Sequence, residues 1–139
     1  MQRIITILAA VLTLVALDTL AGEANSNTIC QLCGMDAAKS ETKFVLQLKT
    51  KPAICACCLN CTRRLINKLG DEVTAVTALD YGTRKQVTAA EAFYVTGSRR
   101  IPKGSMPPFI FAFGSRHDAG TFKERYGGNT LTFTEILRQ

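Results

Sequence analysis

All six cysteines of this chain fall in two short segments, Cys30-Gln31-Leu32-Cys33-Gly34-Met35 and Cys55-Ala56-Cys57-Cys58-Leu59-Asn60-Cys61. A fold that brings these segments together concentrates thiols at one point, with the Met35 thioether two residues past Cys33. Cys30 and Cys33 form a C-x-x-C pair whose sulfurs can converge on one ion from a tight turn. The 21 residues between Cys33 and Cys55 suit a hairpin that carries the second cluster back to the first. Thiolate and thioether are soft ligands, better matched to Cu(I) than to hard cations. The spacing points to metal binding and leaves the metal open.

Either Cys57 with Cys61 or Cys58 with Cys61 can complete a tetrathiolate with Cys30 and Cys33, leaving two thiols over. The second cluster straddles a strand-to-helix junction, where a helix N-terminus is expected to favour thiolate. Three other readings compete. A disulfide framework suits a small exported chain with an even cysteine count, although adjacent Cys57-Cys58 and the Cys55-x-Cys57 pair are awkward for ordinary staples. A structural zinc site of four cysteines is the second. Thiol–disulfide exchange at Cys30-x-x-Cys33 is the third, and it lacks a strand leading into that motif at a helix start.

The N-terminus carries the signs of export. Arg3 precedes an apolar run from Ile4 to Leu17, and small residues at Leu20-Ala21-Gly22 and Gly22-Glu23-Ala24 suit peptidase cleavage. Residues 1–24 therefore read as a signal peptide. The run is short for a membrane span, which needs about 20 residues. Glu23 stands where a lipoprotein would have cysteine, so no lipid anchor is expected. Without Arg3, Asp18 and Glu23, 16 basic residues face 9 acidic ones, a net charge of +7. Export, scattered Lys and Arg, and the want of an aromatic stacking motif argue against nucleic acid as the partner.

About 115 residues remain, enough for one compact domain or two very small ones. Lys43 to Lys49 alternates as a strand, Thr50-Lys51-Pro52 turns, and Ala53 to Ala56 returns. Cys58, Cys61, Leu65 and Leu69, with Ile66 beside them, mark one face of a helix closed by Gly70. Val73 to Leu79 is the next strand, and Tyr81-Gly82-Thr83 a turn. The plan then repeats: strands at Phe93 to Thr96 and Phe109 to Phe113, and a helix capped by Ser115 with Asp118 three residues on. Gly127-Gly128 ends that helix, Asn129 to Phe133 is a closing strand, and Thr134 to Arg138 a last helical turn. The expected class is α+β, two small ββαβ units packed together, with the cysteine-rich unit in residues 25–90 and the second in 91–139. The second unit holds six of the seven phenylalanines and can build its own apolar core.

Met106 is a further candidate ligand, in the loop Pro102-Lys103-Gly104-Ser105-Met106-Pro107-Pro108. His117, the sole histidine, lies off the Ala119-Phe122-Tyr126 helical face and reads as solvated. No serine or cysteine has a base partner in the sequence, and no paired carboxylates stand out. A catalytic metal site would want histidine or carboxylate ligands and an open position. The chain is not expected to be an enzyme.

Cys30-x-x-Cys33-Gly34-Met35, Ala92-Phe93-Tyr94-Val95-Thr96-Gly97-Ser98, Ala112-Phe113, Ala119-Gly120-Thr121-Phe122 and Tyr126-Gly127-Gly128 together resemble the NosL family, over roughly residues 28 to 139. These are copper-delivery accessory proteins of nitrous oxide reductase maturation. The resemblance implies a periplasmic Cu(I) chaperone of two ββαβ units, similar in fold to part of the organomercurial lyase MerB. Its partner would be a copper-accepting periplasmic protein, such as that reductase, or its assembly machinery. It also implies ligands drawn from Cys33, Met35 and a methionine of the inter-strand loop. The first half resembles the TRASH motif as well, in which Cys-x-x-x-Cys answers a C-x-x-C element; Cys57 and Cys61 fit that answer. The candidate metal set is thus Cys30, Cys33, Met35, Cys57, Cys61, Cys58 and Met106. Two departures stand out. Lys103 takes the place of the methionine in the Pro-Met-Gly of many relatives, and the second cysteine cluster is denser than the family pattern.

Overall fold

The computed structural model describes residues 28–139, so the expected leader at 1–24 lies outside the described residues. The described chain begins with a knuckle. Cys30 N–H donates to the Met35 carbonyl at 2.8 Å and Gly34 N–H to the Cys30 carbonyl at 3.0 Å. Gly34 sits at φ 74°, a conformation glycine takes without a steric penalty. A 3-10 turn follows at Ala37–Lys39, capped by the Asp36 carboxylate.

The first sheet is antiparallel and contains β1 (Phe44–Leu48), β2 (Ile54–Ala56), β3 (Val73–Leu79) and β4 (Gln86–Thr88), in the order β2-β1-β3-β4. Alternation along β1 buries Phe44 and Leu46. Helix α1 (Leu59–Leu69) joins β2 to β3 and buries Leu59, Cys61, Thr62 and Leu65. Thr62 is tolerated in that apolar face because its hydroxyl donates to the Cys58 carbonyl at 3.0 Å. Gly70 ends the helix at φ 52°, its N–H donating to the Ile66 carbonyl.

The second sheet contains β5 (Phe93–Thr96), β6 (Ile110–Phe113) and β7 (Asn129–Leu131), antiparallel in the order β6-β5-β7. Helix α2 (Arg116–Tyr126) connects β6 to β7, with Ser115 accepting from Asp118 N–H as its N-cap. In both sheets the first strand of a ββαβ run lies between the second and the third. The class is α+β. One boundary differs from the sequence expectation: β7 stops at Leu131, and α3 (Phe133–Arg138) begins where strand was expected to continue. Thr132 and Glu135 cap each other's backbone there in a capping box, which diverts the chain from the sheet.

Asp80 joins the two sheets. From the end of β3 its Oδ1 accepts from Gly82 N–H at 2.8 Å and Thr83 N–H at 2.9 Å, shaping the turn to β4. Its Oδ2 accepts from Gly114 N–H, just past β6, at 2.7 Å. Burial opposes the carboxylate, but these three amides hold its pKa below the usual value. One apolar cluster runs from the cysteines through Phe44, Leu46 and Leu65 to Tyr94, Ile110 and Ile136, and so spans both sheets. A second gathers Phe111, Phe113 and Phe122 with Val95 and Ala119, against Tyr81 and Phe93. Phe133 belongs to the first cluster, stacked on Tyr94 at 5.9 Å. Among the described residues no helix is long and apolar enough to cross a membrane.

Candidate metal centre

The knuckle reaches the second cysteine cluster through backbone pairing. Gln31 N–H donates to the Cys55 carbonyl at 3.0 Å, and Cys30 and Cys55 form a parallel bridge. This lays the C-x-x-C turn against the β2–α1 junction. The sulfurs of Cys30, Cys33, Cys57 and Cys61 consequently lie within 4.8 Å of one another. Cys33 Sγ is 3.5 Å from Cys57 Sγ, and Cys57 Sγ is 3.8 Å from Cys61 Sγ. A tetrahedral ion with sulfur ligands at about 2.3 Å has ligand–ligand edges of about 3.8 Å. Four soft donors at such separations fit a single soft ion with little rearrangement.

The remaining candidates sit around this centre. Cys58 is the N-cap residue of α1 and makes no side-chain cap bond. Its sulfur is outside the group of four, although its charge acts on both Cys57 and Cys61. The i, i+4 pair of Cys57 and Cys61, not the i, i+3 pair of Cys58 and Cys61, therefore faces the knuckle. Met35 and Met106 are half-buried against the apolar cluster that holds these thiols. Cys55 is buried beside Cys30, and all six cysteines are free thiols. His117 is exposed on α2.

The two thiols of the C-x-x-C turn differ in accessibility. Cys33 is exposed, whereas Cys30 is 2% exposed and packs in the apolar cluster beside Cys55. The electrostatics differ too. Burial pushes the Cys30 thiol up, but hydrogen bonds from the amides of Cys33, Cys57 and Leu32 and from the Cys33 thiol outweigh it, bringing the pKa down to about 7. Cys57 is pushed well above a free thiol by burial, by its hydrogen bond to Cys33 and by neighbouring cysteine charge. Cys61 moves the same way, through burial and the charges of Cys58 and Cys30. Burial also raises Cys55, with partial relief from Lys43. The helix start was expected to favour thiolate in the second cluster, and at Cys57 and Cys61 burial and neighbouring charge win instead. The ready thiolate is Cys30, in a nest of amides. Further negative charge is opposed until a cation arrives.

Several residues that shape the centre escaped the sequence reading. Ser40 Oγ donates to the Cys57 carbonyl at 2.6 Å. Thr42 Oγ1 reaches the same carbonyl at 3.1 Å and is 2.7 Å from Ser105 Oγ, next to Met106. Glu41 clamps the same loop: its N–H donates to the Lys103 carbonyl at 3.0 Å and its carboxylate accepts from Lys103 N–H at 2.9 Å. Lys103 is thus used through its backbone, and its residue is exposed. Gly104 packs so closely that a Cβ would lie 2.9 Å from Ser40 Cα. Isolated Ser, Thr and Glu residues carry no periodicity or motif, so no sequence signal marks these contacts.

Fold and centre together define an α+β protein with four thiols placed so that they could hold a metal ion. The NosL family model matches residues 21–139, and the chain belongs to that family. Among solved structures it is similar to the crystal structure of the copper chaperone NosL from Shewanella denitrificans, at 28% identity and a TM-score of 0.63. That likeness covers 83% of this chain and 93% of the other. No curated protein matches its sequence.

Proposed function

We propose that this protein is an exported Cu(I) chaperone, a carrier and not an enzyme. It holds the ion in the thiolates of Cys30, Cys33, Cys57 and Cys61 and passes it on to a copper-accepting periplasmic partner, such as nitrous oxide reductase or its assembly machinery. Family membership and the likeness to a NosL copper chaperone support the copper reading. The observation that carries it to these residues is the asymmetry of the four sulfurs: three are buried and Cys33 is exposed. Cargo must leave as well as bind, and an exposed ligand gives an acceptor one sulfur to displace first. Met35 and Met106, half-buried against the apolar cluster that holds these thiols, are the thioethers assigned to favour Cu(I) over harder ions. Cys58 and Cys55 lie outside the four.

The near-tetrahedral sulfur spacing favours a second reading, a structural zinc site. Anaerobic purification, metal analysis and Cu(I) titration against a competing chelator separate the two. The copper reading expects tight stoichiometric Cu(I) that displaces any zinc with the fold intact. Zinc that Cu(I) cannot displace, and whose chelation unfolds the chain, would overturn it.

A further inference from the structure

We propose that Cys33 is a site of reversible thiol–disulfide modification, where low-molecular-weight disulfides are captured and then resolved by Cys57 into an internal Cys33–Cys57 disulfide. Cys33 is the single exposed cysteine of the six. It occupies the turn of the knuckle, just before Gly34 at φ 74°, where the residue is open to solvent. Its sulfur is 3.5 Å from that of Cys57, 24 residues away in sequence. Cys57 is fully buried, so an outside disulfide cannot reach it directly. Exposure fixes the order of attack, and the 3.5 Å contact favours Cys57 over Cys30, whose sulfur also lies within 4.8 Å of Cys33.

In the first step the Cys33 thiolate attacks one sulfur of R–S–S–R. A Cys33–S–S–R bond forms, the original S–S bond breaks, and R–S⁻ leaves. In the second step the Cys57 thiol gives up its proton and attacks the Cys33 sulfur, expelling the second R–S⁻. The protons released by the two cysteines end on the two leaving thiolates. Overall, two cysteine thiols are oxidised to one disulfide and R–S–S–R is reduced to two R–SH. A dithiol reductant reverses the process. If the four thiols hold metal, as proposed above, oxidation removes two of them and excludes the ion; the covalent chemistry itself does not depend on that reading.

The test uses reduced, metal-free protein and oxidised glutathione, with acid quenching, intact mass and peptide mapping. The wild type should lose two hydrogens, retain no glutathione, and yield a Cys33–Cys57 cross-linked peptide. Cys57→Ser should stop with one glutathione on Cys33. Cys33→Ser should react roughly tenfold or more slowly, since its remaining thiols are buried. A cross-link between Cys33 and Cys30, wild-type rates in Cys33→Ser, or no reaction at all would overturn the proposal. Should Cys57→Ser fail to fold, the wild-type cross-link map decides alone. Failure of the reduced protein to bind metal would count against the chaperone reading and leave the disulfide result standing.

Discussion

Cys33 and Cys57 touch across the boundary between solvent and core: their sulfurs are 3.5 Å apart, one residue exposed and the other fully buried. The two should respond differently to the same substitution. At exposed Cys33, serine should change stability by no more than about 0.5 kcal/mol. Losing one ligand of four should still weaken Cu(I) binding by about tenfold or more, equivalent to about 1.4 kcal/mol. Cys57→Ser should weaken binding and also destabilise the fold by about 1–3 kcal/mol, because a buried hydroxyl replaces a thiol that packs well. Chelator competition and urea unfolding on both variants check this. Equal stability losses would show that Cys33 is structural.

Metal binding should release protons, with a pH profile set by the order in which the thiols ionise. Cys57 and Cys61 are pushed above the free-thiol range by burial, so a bound cation must displace their protons near neutrality. Cys30, at about 7, is still largely protonated at lower pH and largely ionised above. Affinity should therefore rise with pH throughout, and the slope of log K against pH should fall by about one proton on crossing pH 7. Cu(I) competition titrations from mildly acidic to mildly basic pH measure that slope. A flat profile would mean that these thiols are not the ligands.

Much of this architecture was legible in the residues. The 3-4-4 spacing from Cys58 to Leu69 and the glycine at position 70 delimit α1 closely, and Ser115 caps α2 as its type suggests. Met35 and the two cysteine clusters marked the centre because their chemistry is rare and local. What spacing could not reveal was geometry that depends on another segment. The choice of Cys57 over Cys58 follows from which sulfur the knuckle meets, and the burial of Cys30 from its packing against the second cysteine segment. Ser40, Thr42 and Ser105 matter only because the loop before β6 lies against the cysteine cluster, 63 residues from Thr42 in the case of Ser105. The capping box at Thr132 and Glu135 was readable as T-x-x-E, but the alternation from Asn129 to Phe133 competed with it.

Asp80 should be a stability residue with a defined pH signature. Asn in its place keeps one oxygen but turns an N–H₂ towards backbone N–H donors from Gly82 and Thr83 or from Gly114. Loss of charge-assisted bonds to a buried carboxylate costs about 1–3 kcal/mol. Because the native pKa lies below the ordinary carboxylate value, the unfolded chain takes up this proton first as pH falls. The wild type's advantage over Asp80→Asn should be fully present above about pH 5 and shrink as pH falls through the native pKa. Urea unfolding of both proteins from pH 7 to mildly acid conditions tests the sign. An advantage that grows with acid would refute the assignment.

The loop that carries Met106 is held down at Gly104, where φ is 65° and a Cβ would meet Ser40 Cα at 2.9 Å and the Lys39 carbonyl oxygen at 3.0 Å. Those atoms are backbone and cannot swing aside. Gly104→Ala should therefore lift the loop, separate Ser105 from Thr42, and destabilise the protein by about 1–3 kcal/mol. Lifting the loop also shifts Met106, the residue after Ser105, so Cu(I) affinity should fall with stability if Met106 is a ligand. Met106→Leu separates the two effects, since a volume-conserving swap costs less than about 1.5 kcal/mol. That variant should lose Cu(I) affinity while its zinc affinity stays unchanged, because a thioether selects for the softer ion. Matched chelator titrations with the two metals make the comparison. If Met106→Leu binds Cu(I) like the wild type while Gly104→Ala does not, the loop acts by holding Ser105 against Thr42 and the Cys57 carbonyl, and Met106 is not a ligand.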